Sequence, residues 1–149
     1  SKTLSLKGVV SSGLGEGRLF TSLPWAVCEF ENKLGFIPHP GTFNVSVTDD
    51  AGQRARKRML DEPGIAIVPP PGFCEAKCHR VVIDDKVTGA VVIPAIDDYP
   101  TDKLEILSPI SVRETLAVND GCEVSLEVAL ETVDPREQGE LQVAPGRRG

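Results

Sequence analysis

The chain has 149 residues, of which 26% are charged and 40% hydrophobic, as is typical of one globular domain with its own core. Its net charge of -6 argues against binding to nucleic acid, and no stretch approaches the roughly 20 apolar residues of a membrane span. The four cysteines form no Cys-x-x-Cys pair, so reduced thiols are a simpler interpretation than a zinc site or disulfides. The amino-terminal sequence has no secretion signal, and we therefore expect a cytoplasmic protein.

The first half of the chain predicts three strands, a glycine-rich segment and a helix. Residues 3–11 alternate like a strand and lead into Gly13–Gly17, where glycine occupies every second position. A helix is predicted over residues 24–34, because a proline suits its first turn and Gly35 suits the position after its last turn. Residues 19–22 predict a short second strand, and residues 43–47 alternate again and predict a third.

The second half predicts mostly strands. A basic run, Arg54–Arg58, is either a short helix or a mobile loop, and a solvated face is its commoner role. Further strands are predicted over residues 74–83, 87–94, 104–107 and 123–130, with one helical turn over residues 108–116. Many short strands and few helices favour a mainly β fold, a small β-barrel with short helical caps. We assign residues 1–133 to this domain and expect residues 134–149 to be a disordered tail.

Two segments carry candidate chemistry. The glycines of the first glycine-rich segment, Gly13–Gly17, would let backbone N–H groups approach a ligand. The segment Gly35–Asn44 ends in Thr42 and Asn44, whose side-chain oxygens would share one face of the following strand. A phosphate-binding loop with oxygen ligands for Mg²⁺ favours nucleotide-dependent phosphoryl transfer. Taken singly, the glycines are more often an ordinary turn, and Thr42 and Asn44 more often make hydrogen bonds at a strand edge.

Five motifs occur in an order that resembles the archaeal-type CTP-dependent riboflavin kinases. They are Gly13–Gly17, Pro38–Asn44, Leu104–Ile106, Val112–Arg113 and Asp120–Val124. The resemblance covers residues 4–130 and implies a six-stranded cradle-loop-type β-barrel. It also implies transfer of the γ-phosphoryl group of CTP to the 5′-hydroxyl of riboflavin, which gives FMN and CDP, with Mg²⁺ as the cofactor. We expect these small molecules to be the partners of the protein, and the protein to be a monomer.

The same resemblance implies roles for individual residues. Nucleotide contacts would come from Leu14, Gly15, Glu16, Gly17, Arg18, Leu19 and Phe20, and from Ile110, Ser111, Val112 and Arg113. Thr42 and Asn44 would hold Mg²⁺, and Asp97 and Glu105 would contact the flavin. The general base is not assigned. Glu105 and Asp97 are candidates, because a carboxylate near the ribityl hydroxyl could take its proton.

The loop before Glu105 departs from the family. Asp97, Asp98 and Tyr99 stand where a threonine, a tyrosine and a histidine are expected to face the flavin, and an ionised carboxylate accepts hydrogen bonds but donates none. Two alternatives therefore stay open: a non-catalytic module that binds the nucleotide or the flavin, and a kinase of the same fold that acts on another small alcohol. A barrel-type DNA-binding regulator is a further alternative, supported only by Arg54–Arg58.

Overall fold

The computed structural model describes residues 2–12 and 21–130. The first glycine-rich segment, with the predicted nucleotide contacts at residues 14–20, and the predicted tail lie outside these described residues. The described strands are β1 (Lys2–Ser11), β2 (Phe43–Ser46), β3 (Ile65–Ile67), β4 (Ala76–Ile83), β5 (Val87–Pro94), β6 (Lys103–Leu107) and β7 (Glu123–Leu130). The described helices are α1 (Pro24–Leu34), α2 (Asp50–Asp61) and α3 (Val112–Leu116). None of these helices combines the length and the apolar character that crossing a membrane requires.

Six of these strands form a closed ring. Around the ring the order is β4, β5, β6, β2, β1 and β7, and β7 pairs again with β4. The closure joins residues 81–83 of β4 to residues 126–128 of β7, and all the strand pairs are antiparallel. Strand β3 lies beside the other end of β4. This mainly β, barrel-like arrangement confirms the expected fold class, and closure pairs backbone groups that an open sheet would expose at its edges.

Alternating apolar side chains fill the inside of the ring. In β7, the residues Val124, Leu126, Val128 and Leu130 are buried, whereas Glu123 and the other residues between them are more exposed. The four buried residues belong to one apolar cluster with side chains from β1, β2, β4, β5 and β6. Because burying each such side chain contributes about 1.5–3 kcal/mol, the period-two pattern fixes which face of β7 meets the core.

Helix α1 covers the outside of the ring at β5. Its fully buried Phe30 packs in a second apolar cluster with Ala90 and Val92, while Val91 and its alternate neighbour Ile93 belong to the interior cluster. The helix ends as predicted at Gly35, whose φ of 86° is the left-handed conformation that glycine adopts without strain. Strand β5 is therefore covered on both faces, which explains its nearly continuous apolar sequence.

Helix α2 contains the basic run. It begins after Asp49, whose carboxylate accepts a hydrogen bond from the Gly52 N–H at 2.9 Å and so caps the first turn. Arg54 and Arg58 are exposed, in agreement with the predicted solvated face. The prediction is wrong for Arg56, which is buried because it lies on the inner face of the helix.

Candidate active site

The neighbouring strands β2 and β6 bring three predicted site residues together. Asn44 of β2 lies directly opposite Glu105 of β6 in the strand register. Thr42 precedes Asn44 by two residues, so the two side chains lie on the same side of an extended chain. Directly opposed residues of an antiparallel pair have Cβ atoms about 4.5–5.5 Å apart, which is within reach of polar side chains.

Hydrogen bonds join these three side chains into what we call the oxygen cluster (Thr42, Asn44 and Glu105). The Thr42 hydroxyl donates to Glu105 Oε2 at 3.1 Å, and Asn44 Nδ2 donates to the Thr42 carbonyl oxygen at 2.9 Å. The second bond orients the amide so that Asn44 Oδ1 lies 3.4 Å from Thr42 Oγ1. Asn44 and Glu105 are only 5% and 3% exposed, so neighbouring side chains restrict both to this geometry.

Tyr99 supplies a second hydroxyl to the same carboxylate. Its hydroxyl donates to Glu105 Oε1 at 2.5 Å, so each oxygen of Glu105 accepts a hydrogen bond from a hydroxyl group. Sequence reasoning did not include Tyr99 among the site residues, because no local pattern links it to a partner six residues further along the chain. Asp97, which was assigned to the flavin, is exposed in the same loop two residues before Tyr99.

The oxygen cluster contains donors that Mg²⁺ accepts, namely a hydroxyl, an amide carbonyl and a carboxylate. Adjacent oxygens around an octahedral Mg²⁺ lie about 3.0 Å apart. The separations of 3.1 Å and 3.4 Å from Thr42 Oγ1 are close to that spacing. Thr42 and Asn44 therefore fit the proposed ligand role. Within residues 2–12 and 21–130, no group of three or more His, Cys, Asp or Glu side chains is placed to hold a metal. With Thr42 and Asn44 as ligands, phosphate oxygens and water would complete the coordination of Mg²⁺.

A cavity of about 150 Å³ lies beside the oxygen cluster. One wall is formed by residues 39–43 and includes Thr42, and the other includes Ile106, Ser108 and residues 110–113. The His39 N–H donates to the Ser108 carbonyl at 2.7 Å and joins the two walls. The fold thus places the second group of predicted nucleotide contacts, Ile110, Ser111, Val112 and Arg113, at the same cavity as a predicted metal ligand.

Both flanks of the first glycine-rich segment lie next to this cavity. Before the segment, the Ser12 hydroxyl donates to Asp120 Oδ2 at 2.6 Å, and Arg113 donates to Oδ1 of the same carboxylate at 2.6 Å. After the segment, the buried Thr21 hydroxyl accepts a hydrogen bond from the Gly41 N–H at 2.8 Å. Because Arg113 and Gly41 line the cavity, the chain enters and leaves the predicted phosphate-binding segment beside it.

The Arg113–Asp120 ion pair lies at the rim of the cavity. The Ser12 hydroxyl and then the Arg113 guanidinium lower the pKa of Asp120 below its usual range, because both favour the ionised carboxylate. Arg113 also donates to the Ser11 carbonyl at 3.0 Å, which fixes helix α3 against the end of β1. Asp120 belongs to the motif Asp120–Val124, but sequence reasoning did not predict its contact with Ser12, because the two residues are 108 positions apart.

The closed ring of strands, the oxygen cluster and the adjoining cavity define a small barrel-like domain with a polar cluster and a cavity at one of its walls. The chain belongs to the family whose model is named CTP-dep_RFKase and described as domain of unknown function DUF120. The model matches residues 10–128, which include the oxygen cluster, the cavity and both flanks of the glycine-rich segment. The family expected from the sequence motifs is therefore confirmed.

Proteins named riboflavin kinase are similar to this chain. The protein from Archaeoglobus fulgidus is 39% identical over 132 residues, which cover 86% of this chain and 56% of the relative. The protein from Pyrobaculum islandicum is 39% identical over 137 residues, covering 87% of this chain and 62% of the relative. The protein from Sulfurisphaera tokodaii is 37% identical over 134 residues, which cover 87% of this chain and 98% of the relative. The chain thus spans between half and two thirds of the first two relatives and nearly all of the third.

Proposed function

We propose that this chain is a riboflavin kinase that transfers the γ-phosphoryl group of CTP to the 5′-hydroxyl of riboflavin, giving FMN and CDP. The observation that carries the proposal is the position of the oxygen cluster. Thr42 lines the cavity that holds the second group of predicted nucleotide contacts, whereas Glu105 accepts a hydrogen bond from Tyr99 in the loop expected to meet the flavin. Membership of the family and the similarity to proteins named riboflavin kinase support the same assignment.

On the nucleotide side, the chain would act mainly through positioning and charge neutralisation, which are the main needs of phosphoryl transfer. Thr42 and Asn44 would hold Mg²⁺, which when bound neutralises phosphate charge and fixes the polyphosphate. Glu105 takes the hydrogen bond of the Thr42 hydroxyl and so leaves the lone pairs of Oγ1 available to a cation. Arg113 lines the cavity, and its positive charge would help to neutralise a phosphate bound there.

On the flavin side, Glu105 is the better placed of the two candidate bases, because it is buried at the oxygen cluster whereas Asp97 is exposed. A carboxylate has about four lone-pair sites, so a third hydroxyl can bind beside those of Thr42 and Tyr99. In the proposed step, the riboflavin 5′ oxygen bonds to the γ-phosphorus as the bond to the β–γ bridging oxygen breaks. CDP leaves with that electron pair, and the hydroxyl proton passes to Glu105.

The alternatives differ in their support. Asp97 and Asp98 are exposed carboxylates beside the proposed flavin site, and this keeps a kinase for another hydroxylated small molecule as a second candidate. The structure weakens the support that the Arg54–Arg58 cluster gave to a DNA-binding regulator. Arg56 is buried and bound to backbone carbonyls, so it is not free to contact DNA. We also propose that the protein is a monomer and that it acts in the cytoplasm.

A nucleotide panel tests the proposal directly. The chain is incubated with riboflavin and each of CTP, UTP, ATP and GTP, with and without Mg²⁺, and FMN is separated from riboflavin by chromatography. We expect FMN with CTP, dependent on Mg²⁺, and little with the other nucleotides. Reactions without riboflavin control for simple nucleotide hydrolysis. CTP binding without FMN formation would favour the non-catalytic module, and a preference for ATP would contradict the proposed phosphoryl donor.

A further inference from the structure

Arg56 of helix α2 binds the backbone of the loop that joins β5 to β6, residues 95–102. Its Nη2 donates to the Pro100 carbonyl at 2.8 Å, and its Nε donates to the Lys103 carbonyl at 3.3 Å, where the loop enters β6. The residue is only 5% exposed. Burial lowers the pKa of Arg56, because desolvation disfavours the charged form of the guanidinium. A buried charge needs hydrogen-bond partners, and here backbone carbonyls accept two N–H groups of the guanidinium.

The two carbonyls between the ones that Arg56 binds, at Thr101 and Asp102, also accept hydrogen bonds. Gln53 Nε2 donates to the Thr101 carbonyl at 3.0 Å, and the Val47 N–H donates to the Asp102 carbonyl at 2.8 Å. Four successive carbonyls of the chain, at residues 100–103, therefore accept hydrogen bonds from α2 or from the residue that follows β2. Because each of these four carbonyls has its own donor, the hydrogen bonds together favour one conformation of the loop end.

The held carbonyls come directly after the residue that reaches the site. Tyr99 precedes Pro100, and its hydroxyl donates to Glu105 at 2.5 Å. Asp98, just before Tyr99, has a φ of 65°, a left-handed conformation that costs free energy for a residue other than glycine and persists only when its surroundings impose it. The position of the Tyr99 hydroxyl therefore depends on contacts that hold the backbone on its carboxyl side.

We propose that Arg56, assisted by Gln53, is a positioning residue for the flavin side of the site: it fixes Tyr99 against Glu105 and thereby sets riboflavin binding. The inference rests on the proposed function for its substrate. A lysine would not serve equally well, because its single ammonium group lacks the planar fork that reaches two carbonyls three residues apart. Arg54, two residues earlier and exposed, gives a matched control on the same helix.

The test compares Arg56→Met with Arg54→Met in the full chain. Tyr99 is the only tyrosine, so incorporation of 3-fluorotyrosine places a single fluorine label on the ring carbon next to the hydroxyl that contacts Glu105. For Arg56→Met we expect a shifted fluorine resonance and a rise of about tenfold in KM for riboflavin, since hydrogen bonds to a charged group are lost, with KM for CTP within about twofold of the wild type. We expect Arg56→Lys to lie between these values and Arg54→Met to match the wild type in all three measurements.

Opposite results would overturn the inference. An unshifted fluorine resonance in folded Arg56→Met, or equal rises in KM for both substrates, would show that Arg56 has a general structural role instead. If Arg56→Met does not fold, Gln53→Leu is the second variant. Gln53 is half-buried, and the substitution removes its hydrogen bond to the Thr101 carbonyl. The fluorine resonance and the two KM values of this variant then test the same inference. Absence of riboflavin phosphorylation in the wild type would contradict the proposed function, whereas the fluorine resonance would still test whether Arg56 positions Tyr99.

Discussion

The nucleotide side of the site and the flavin side differ in how the chain builds them. The cavity on the nucleotide side is lined by two short continuous segments, residues 39–43 and 106–113. The loop on the flavin side is held by Arg56 of α2, which lies 44 and 47 residues away in sequence from the two carbonyls that it binds. The residues that line the cavity are close together in sequence within each wall, whereas the flavin loop depends on a buried arginine from a distant helix. We infer that substitutions in α2 change flavin recognition without altering the nucleotide cavity.

The oxygen cluster belongs to both sides, so its disruption should have the largest effect. Asn44→Ala removes a proposed Mg²⁺ ligand and leaves the Thr42 carbonyl without the amide that binds it. We expect FMN formation to fall about 100-fold or more, with the loss greatest at limiting Mg²⁺. Initial rates over a Mg²⁺ titration measure this. Ser46→Ala, two residues further along β2, is the control and should keep a rate within about threefold of the wild type. An unchanged rate for Asn44→Ala at limiting Mg²⁺ would refute the ligand role.

The Arg56→Met substitution described above should have the next largest effect, and that effect should be on KM for riboflavin and not on KM for CTP.

The substitution Asp120→Asn should act on the nucleotide side instead, because it weakens the ion pair that fixes Arg113 at the cavity rim. Exposed ion pairs contribute little, so we expect KM for CTP to rise only about two- to fivefold and KM for riboflavin to stay constant. Glu114→Gln, an exposed change on α3, is the matched control. A rise in KM for riboflavin alone would contradict the division into two sides.

The Arg113–Asp120 ion pair should also make the stability of the protein depend on pH in a defined direction. The folded protein lowers the pKa of Asp120. The ionised carboxylate therefore stabilises the folded state fully at pH values above the ordinary pKa of an unfolded Asp. This stabilisation is lost as the pH falls through the lowered value, where the carboxylate protonates in the folded state as well. The difference in Tm between the wild type and Asp120→Asn should therefore be present at neutral pH and disappear in strong acid.

The sequence predicted the parts of this molecule that local pattern encodes. Alternation located β7, and a proline and a glycine marked the two ends of α1. The segment that carries Thr42 and Asn44 was recognisable because its residues are contiguous. The prediction for Arg56 was wrong for a physical reason: its hydrogen bonds go to backbone carbonyls, which every residue type carries, so nothing in the sequence identifies the partners. Tyr99 was missed because its contact with Glu105 requires the turn into β6.

The most direct test of the central claim is a crystal structure with CDP, Mg²⁺ and riboflavin bound. We predict Mg²⁺ at about 2.0–2.1 Å from Thr42 Oγ1 and Asn44 Oδ1, with the phosphates in the adjoining cavity. The 5′-hydroxyl of riboflavin should lie within hydrogen-bond distance of Glu105, on the Tyr99 side of the cluster. A nucleotide bound far from Gly15 and Asn44, or a riboflavin away from Glu105, would contradict the account.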